Sequence, residues 1–147
     1  MRQKLDQQLC FEVYKAANQF TKLYAKTLQP FGLTYPQYIV LLALGDEDSQ
    51  TTSSLCQKLG LGIGTLNPIL QKLVEKGLLT KEPSKVDKRA SHYSLTDAAK
   101  ALQPTVEQAI VDRLFCFDFL STEGPGLKER LQQLNEFLGM MNKEETV

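Results

Sequence analysis

A chain of 147 residues with 42% hydrophobic content suits one compact domain with a modest core and an extension that depends on a partner. Its 17 basic and 17 acidic residues cancel to a formal net charge of zero, so no global field points to nucleic acid, although a local basic patch would be enough. No apolar run approaches the roughly 18 residues of a membrane span, and "MRQKLDQQL" is too polar for a signal peptide. The expectation is a cytoplasmic protein with reduced thiols, no membrane partner, no metal and no other cofactor, since the three cysteines and one histidine lack metal-ligand spacing.

In chain order, residues 4–29 follow a 3.6-type period without Gly or Pro until Pro30 and Gly32 interrupt it. "LTYPQYIVLLALGD" predicts a helix capped by Thr34, with Pro36 in its first turn and an apolar run ending at Gly45. "DSQTTSSLCQKLG" predicts a polar turn and a short helix closed by Gly60, with Cys56 as a small core residue. "LGIGTLNPILQKLVEKG" predicts a helix starting near Gly62–Thr65, with Pro68 in its first turn, and stopped by Gly77. The period then shortens toward two around Leu79–Lys81 and His92–Leu95. A charged, turn-rich "EPSKVDKR" separates them, which predicts a two-stranded hairpin with a long polar tip. Thr96 caps a long helix to about Leu120, kinked at Pro104. "STEGPG" breaks the chain before a last helix in "LKERLQQLNEFLGMMN".

A short helix, a tight turn, a second helix and a charged hairpin give the order of a winged helix-turn-helix. Such a second helix must place short polar side chains at its N-terminal end to reach base edges in the major groove. Thr65, Asn67, Pro68 and Gln71 stand there, with Lys72 in reach of phosphate. The hairpin tip offers Lys85, Lys88 and Arg89 for phosphates or a narrow minor groove. Charge is distributed accordingly: residues 72–92 carry a net +3 and residues 117–147 a net −3. The competing reading is a solvated hairpin on a winged helix that binds only protein.

On a helix advancing about 100° per residue, Tyr14 lies near 40° from Cys10, Ala17 near −20°, Thr21 near 20° and Tyr24 near −40°. One stripe therefore holds a thiol and two phenols. Such a stripe is commonly core or dimer seam. Phenolic donors beside a sulfur would also stabilise the thiolate, the reactive form of cysteine, and a tyrosine-lined pocket accepts an apolar peroxide tail. A thiol peroxidase is disfavoured, because Cys10 has no neighbouring His or Arg to activate it; the chain is not read as an enzyme.

"QLCF", "GLTYPQYIVLLAL", "LGIGTLNPILQKLVEKGLL" and "DKRASHYSLTDAAKAL" together resemble the MarR family of bacterial repressors, above all its thiol-based branch, the organic hydroperoxide resistance regulators and their staphylococcal relatives. The resemblance covers Leu5 to about Leu120. Two departures stand out: Gly62 and Ile63 replace a common Asp-Ser pair, and "EGPG" interrupts a stretch that relatives usually read straight into a helix. The resemblance implies a mainly α winged helix-turn-helix. Residues 1–32 and 97–147 would form interlocking dimerisation helices and residues 33–96 the reading head, all in one domain. It implies a homodimer on a pseudo-palindromic double-stranded operator, relieved by organic hydroperoxide or another oxidant. It makes Cys10 the redox sensor, hydrogen-bonded by Tyr14, Tyr24 and Tyr35. Sulfenic acid at Cys10 would be captured by the candidate resolving Cys116 of the other subunit or by a small cellular thiol; simple burial of Cys116 between Phe115 and Phe117 is the other reading. A MarR-type repressor released by a small aromatic ligand in the same cleft is the alternative function.

Overall fold

The computed structural model describes residues 4–86, 89–116 and 118–144. Seven α-helices and three short strands follow one another among these residues. They fall into two compact units, residues 1–109 and 110–147, each treated by itself below. The division lies inside a helix, between residues 109 and 110.

The first unit opens with a 3-10 turn, Leu5–Gln7, and then α1, Leu9–Leu28. The expected single helix is broken at Gln8, which is extended (φ −91°, ψ 123°). There the Gln7 side chain turns back to accept from the Lys4 N–H at 3.3 Å. Over a single turn, apolar spacing does not separate a 3-10 turn from an α-helix. Pro30 sits in a second 3-10 turn, Gln29–Phe31. Thr34 then caps α2, Tyr35–Asp46, as predicted: its Oγ1 accepts from the Gln37 N–H at 3.3 Å, and Gln37 Oε1 accepts from the Thr34 N–H at 3.1 Å. α2 is apolar almost all round and buries Tyr38, Val40, Leu41, Ala43 and Leu44 as the central element of the core.

Residues 50–51, expected in a polar turn, instead form β1. Gln50 is buried, and its amide donates to the Ala43 carbonyl at 2.7 Å and the Glu47 carbonyl at 2.9 Å. Those bonds, invisible in the sequence, draw a polar segment to the sheet. Thr51 caps α3, Thr52–Leu59, by accepting from the Ser54 N–H at 3.1 Å. Gly60 closes α3 at φ +65°, a conformation that carries no Cβ penalty for glycine. Cys56 is only half-buried, whereas its neighbour Leu55 fills the core.

α4, Ile63–Glu75, buries Leu66, Leu70 and Leu73 at helical spacing and ends before Gly77 at φ +72°. Pro68 lies in the second turn, not the first, because the helix starts directly after Gly62. It removes the amide that would pair with the Gly64 carbonyl. Gly64 has open space around its Cβ position, so no side chain crowds that turn. β2, Leu79–Pro83, and β3, Ser91–Leu95, form the expected hairpin with Leu79 opposite Leu95 and Lys81 opposite Tyr93. β1 joins its far side, giving a three-stranded antiparallel sheet in the order β1-β3-β2 rather than two strands.

Thr96 caps α5, Asp97–Leu114: its Oγ1 accepts from the Ala99 N–H at 3.2 Å and donates to the Gly77 carbonyl at 2.7 Å. α5 runs through Pro104. Gln103 ties it to α2 by donating to the Leu41 carbonyl at 2.9 Å. α5 ends at Leu114, short of the expected Leu120. In the second unit, α6 spans Asp118–Thr122 and α7 spans Gly124–Glu144. The "GPG" expected to precede the last helix is its first turn, where a proline lacks no needed donor. Among the described residues no helix is long and apolar enough to cross a membrane.

Candidate functional site

Burial of Leu66, Leu70 and Leu73 fixes the rotation of α4 and turns its opposite face outward. Thr65, Asn67, Pro68, Gln71 and Lys72, the residues expected to reach DNA, are all exposed. Gln71 donates to Glu75 Oε1 at 3.3 Å, which holds its amide along the helix. A groove of about 460 Å³ runs between Asn67, Gln71, Val74 and Glu75 on α4 and Lys81 and Tyr93 on the wing. A second, of about 420 Å³, collects the start of α3 (Thr52, Ser53), Ile63 and Asn67 from α4, and Lys81, Arg89 and Ser91 from the wing. α4 and the wing therefore share one concave surface. Lys85 and Arg89 are exposed on the wing; Lys88 lies outside the described residues. Lys81 and the start of α3 were not predicted to belong here. Lys81 follows buried Leu79 by two residues and so lies on the same side of β2, toward α4; that period was the available signal for the first, and the second needed the fold.

Lys76, at the C-terminal cap of α4, donates to Gln37 Oε1 at 2.9 Å and to the Gly32 carbonyl. It fastens the end of α4 to the α1–α2 junction, two residues from Tyr35.

At that junction Tyr24 stacks on Tyr35 with ring centroids 4.4 Å apart. Tyr24 also lies 5.9 Å from Tyr38 and 6.2 Å from Phe20. Burial, then the neighbouring Tyr35 and Tyr38, push the Tyr24 phenol up to about 12. Burial also raises Tyr35, and burial together with Glu107 and Tyr35 raises Tyr38. These phenols keep their protons at neutral pH, so each retains an O–H able to donate. Tyr38, three residues after Tyr35 in "LTYPQY", joins a cluster for which only Tyr24 and Tyr35 were predicted.

Cys10 is an exposed free thiol in the first turn of α1, and Tyr14, one turn on, is 67% exposed. Cys10 and Tyr24 share a stripe but not a site. At about 1.5 Å of rise per residue, the fourteen positions between them span roughly 21 Å of helix axis. Within one chain the cluster thus brings together Tyr24 and Tyr35 but not the thiol. α1 buries only Leu28, while Leu9, Val13, Tyr14 and Phe20 stay exposed. In the second unit, Cys116 is exposed within the single chain and its thiol donates to the Arg113 carbonyl at 3.2 Å. α7 exposes Leu127, Leu131, Phe137, Leu138 and Met140.

A model of the MarR family matches residues 31–90, the span from the end of α1 to the wing. The chain is 32% identical over 136 residues to the HTH-type transcriptional regulator MgrA of Staphylococcus aureus, covering 92% of this chain and 88% of that one. It is 37% identical over 100 residues to the organic hydroperoxide resistance transcriptional regulator of Bacillus subtilis, covering 68% of each. Reduced AbfR bound to DNA superposes with a TM-score of 0.77 at 36% identity, covering 91% of this chain and 94% of that one. AbfR with its disulfide formed gives a TM-score of 0.69 at the same identity, covering 91% of each chain. With the wing, the exposed face of α4 and the groove between them in place, these likenesses settle the family: the chain belongs to the MarR family of DNA-binding transcriptional regulators.

Proposed function

We propose that this regulator is a dimeric repressor that leaves its operator when organic hydroperoxide oxidises Cys10. The observation that carries the reading is the uncovered apolar face of α1, with an exposed thiol at one end and a phenol cluster at the other. Two α1 helices packed antiparallel about a twofold axis near Ala17 would set Cys10 of each against Tyr24 and Tyr35 of the partner subunit. Ala17 is small enough for close approach at the crossing. The resemblance to hydroperoxide resistance regulators, and to AbfR solved both reduced on DNA and with a disulfide, supports a redox switch.

In the proposed reaction the Cys10 thiolate attacks the O–O bond of the peroxide. The alkoxide leaves and takes up a proton as the alcohol, and the sulfur is oxidised to sulfenic acid. A second thiolate then displaces hydroxide to form a disulfide. Exposed Cys116 is the candidate within the dimer, and a small cellular thiol is the other. The exposed faces of α1 and α7 support interlocking terminal helices as the dimer seam. The Lys76 link supplies a route from the α1–α2 junction to the reading helix.

The test is to treat the protein–DNA complex with one equivalent of an organic hydroperoxide and follow both DNA release and intact mass without reductant. Release with a linked dimer, lost in Cys116→Ser, assigns resolution to Cys116. Release with a small-thiol adduct or sulfenic acid keeps Cys10 as the sensor. An unchanged mass and an intact complex, with release by phenolic acids instead, favours the second reading, an aromatic ligand stacked on the Tyr24–Tyr35–Tyr38 cluster.

DNA contact by the wing predicts that Arg89→Ala binds every duplex more weakly. Its affinity should also depend less steeply on salt, by about one unit of log–log slope. Electrophoretic mobility shifts across a salt series measure this, and an unchanged slope removes Arg89 from phosphate contact.

A further inference from the structure

We propose that Ile63 reads the 5-methyl group of a thymine in the major groove and so sets part of the operator preference. The inference rests on the DNA-contacting role proposed for α4. Ile63 is the first residue of α4 and is 62% exposed, a large aliphatic side chain presented to solvent at the end of the helix that enters the groove. It does not serve the core, which α4 reaches through Leu66, Leu70 and Leu73. Four and eight residues on stand Asn67 and Gln71, so the three form one ridge along the exposed face. Ile63 and Asn67 line the same groove, beside Lys81 and Arg89 of the wing.

The flanking residues strengthen the case. Gly62 and Gly64 have nothing within 4 Å of their Cβ positions. The backbone on both sides of Ile63 can therefore approach the DNA closely, and the isoleucine is the one side chain that projects from "GIG". An aliphatic group has no hydrogen bond to offer a base edge. The apolar feature that the major groove presents is the thymine methyl, absent from cytosine and from the purines. Asn67, one turn along the ridge, suits adenine, so the pair favours an A·T-rich element in each half-site.

The experiment begins with a duplex enriched by the parent chain from a random-sequence pool. Each thymine of that duplex is replaced in turn by deoxyuridine, which removes the methyl and nothing else. Affinities are measured for the parent chain, Ile63→Ala and Ile63→Val, with thermal melts confirming that the variants fold. One thymine per half-site should lose roughly threefold to fivefold in affinity on demethylation, the worth of burying one methyl. Ile63→Ala should bind the thymine and deoxyuridine forms equally, and Ile63→Val should keep part of the difference. No sensitive thymine, or equal sensitivity in the parent chain and Ile63→Ala, overturns the proposal while leaving DNA binding intact. Failure of the parent chain to enrich any duplex would instead remove the role of α4 on which the proposal depends.

Discussion

Cys10→Ser is expected to bind its operator as tightly as the parent protein and to stay bound when organic hydroperoxide is added. The thiol is exposed in the first turn of α1, so the change removes no core packing, and its effect on stability should fall within about 0.5 kcal/mol. Serine fits a helix N-terminus well. What it lacks is a polarizable sulfur, the atom whose thiolate form can displace alkoxide from a peroxide. Release of the parent protein should track peroxide stoichiometrically, whereas the variant should show none at concentrations that empty the parent complex. Fluorescence anisotropy of a labelled operator gives both affinities and the release curve. A Cys10→Ser protein that still lets go on oxidation would move sensing to Cys56 or Cys116, or hand the role to a ligand in the tyrosine cluster.

The sequence was most informative where one residue's chemistry decides a local structure. Thr34 and Thr96 cap because a hydroxyl can satisfy a free amide of the first turn. Gly60 and Gly77 stop helices because they adopt positive φ without strain. The leucine spacing of α4 fixes which face is buried, and therefore which polar residues face outward.

It was least informative where a tertiary partner decides. Gln50 reads as turn material until Ala43 and Glu47 offer it two carbonyls in the core. Pro68 and the "GPG" of α7 were placed a turn away from their true positions, because proline restricts a helix without fixing where the helix begins. The helical wheel put Cys10, Tyr14 and Tyr24 on one stripe, yet a wheel discards the axial coordinate. A shared stripe shows which residues face the same way, not which residues touch.

If Tyr24 and Tyr35 serve Cys10 as proposed, that axial separation makes their effect a property of the dimer. Tyr24→Phe and Tyr35→Phe together are expected to slow oxidation of Cys10 near neutral pH by roughly tenfold or more, the worth of a hydrogen bond to a charged group. The reduced protein should keep its affinity for DNA. Each phenylalanine retains the ring, so the stack at 4.4 Å survives. Each loses a hydroxyl that, with the Tyr24 phenol held near 12, stays protonated and able to donate to a thiolate.

Because about 21 Å of helix separates Tyr24 from the thiol of its own chain, the slow rate should follow the partner's tyrosines. Mixed dimers test this with differently tagged chains. In one, a chain with an intact Cys10 and both phenylalanines pairs with a Cys10→Ser chain whose tyrosines are intact. Its thiol should react at the parent rate. In the other, an unaltered chain pairs with one carrying Cys10→Ser and both phenylalanines, and the surviving thiol should react slowly. If the slow rate instead tracks the tyrosines of the thiol's own chain, the antiparallel pairing of α1 is wrong. If neither mixed dimer differs from the parent, the cluster has no part in activating Cys10, and its place as an aromatic-ligand site becomes the better account.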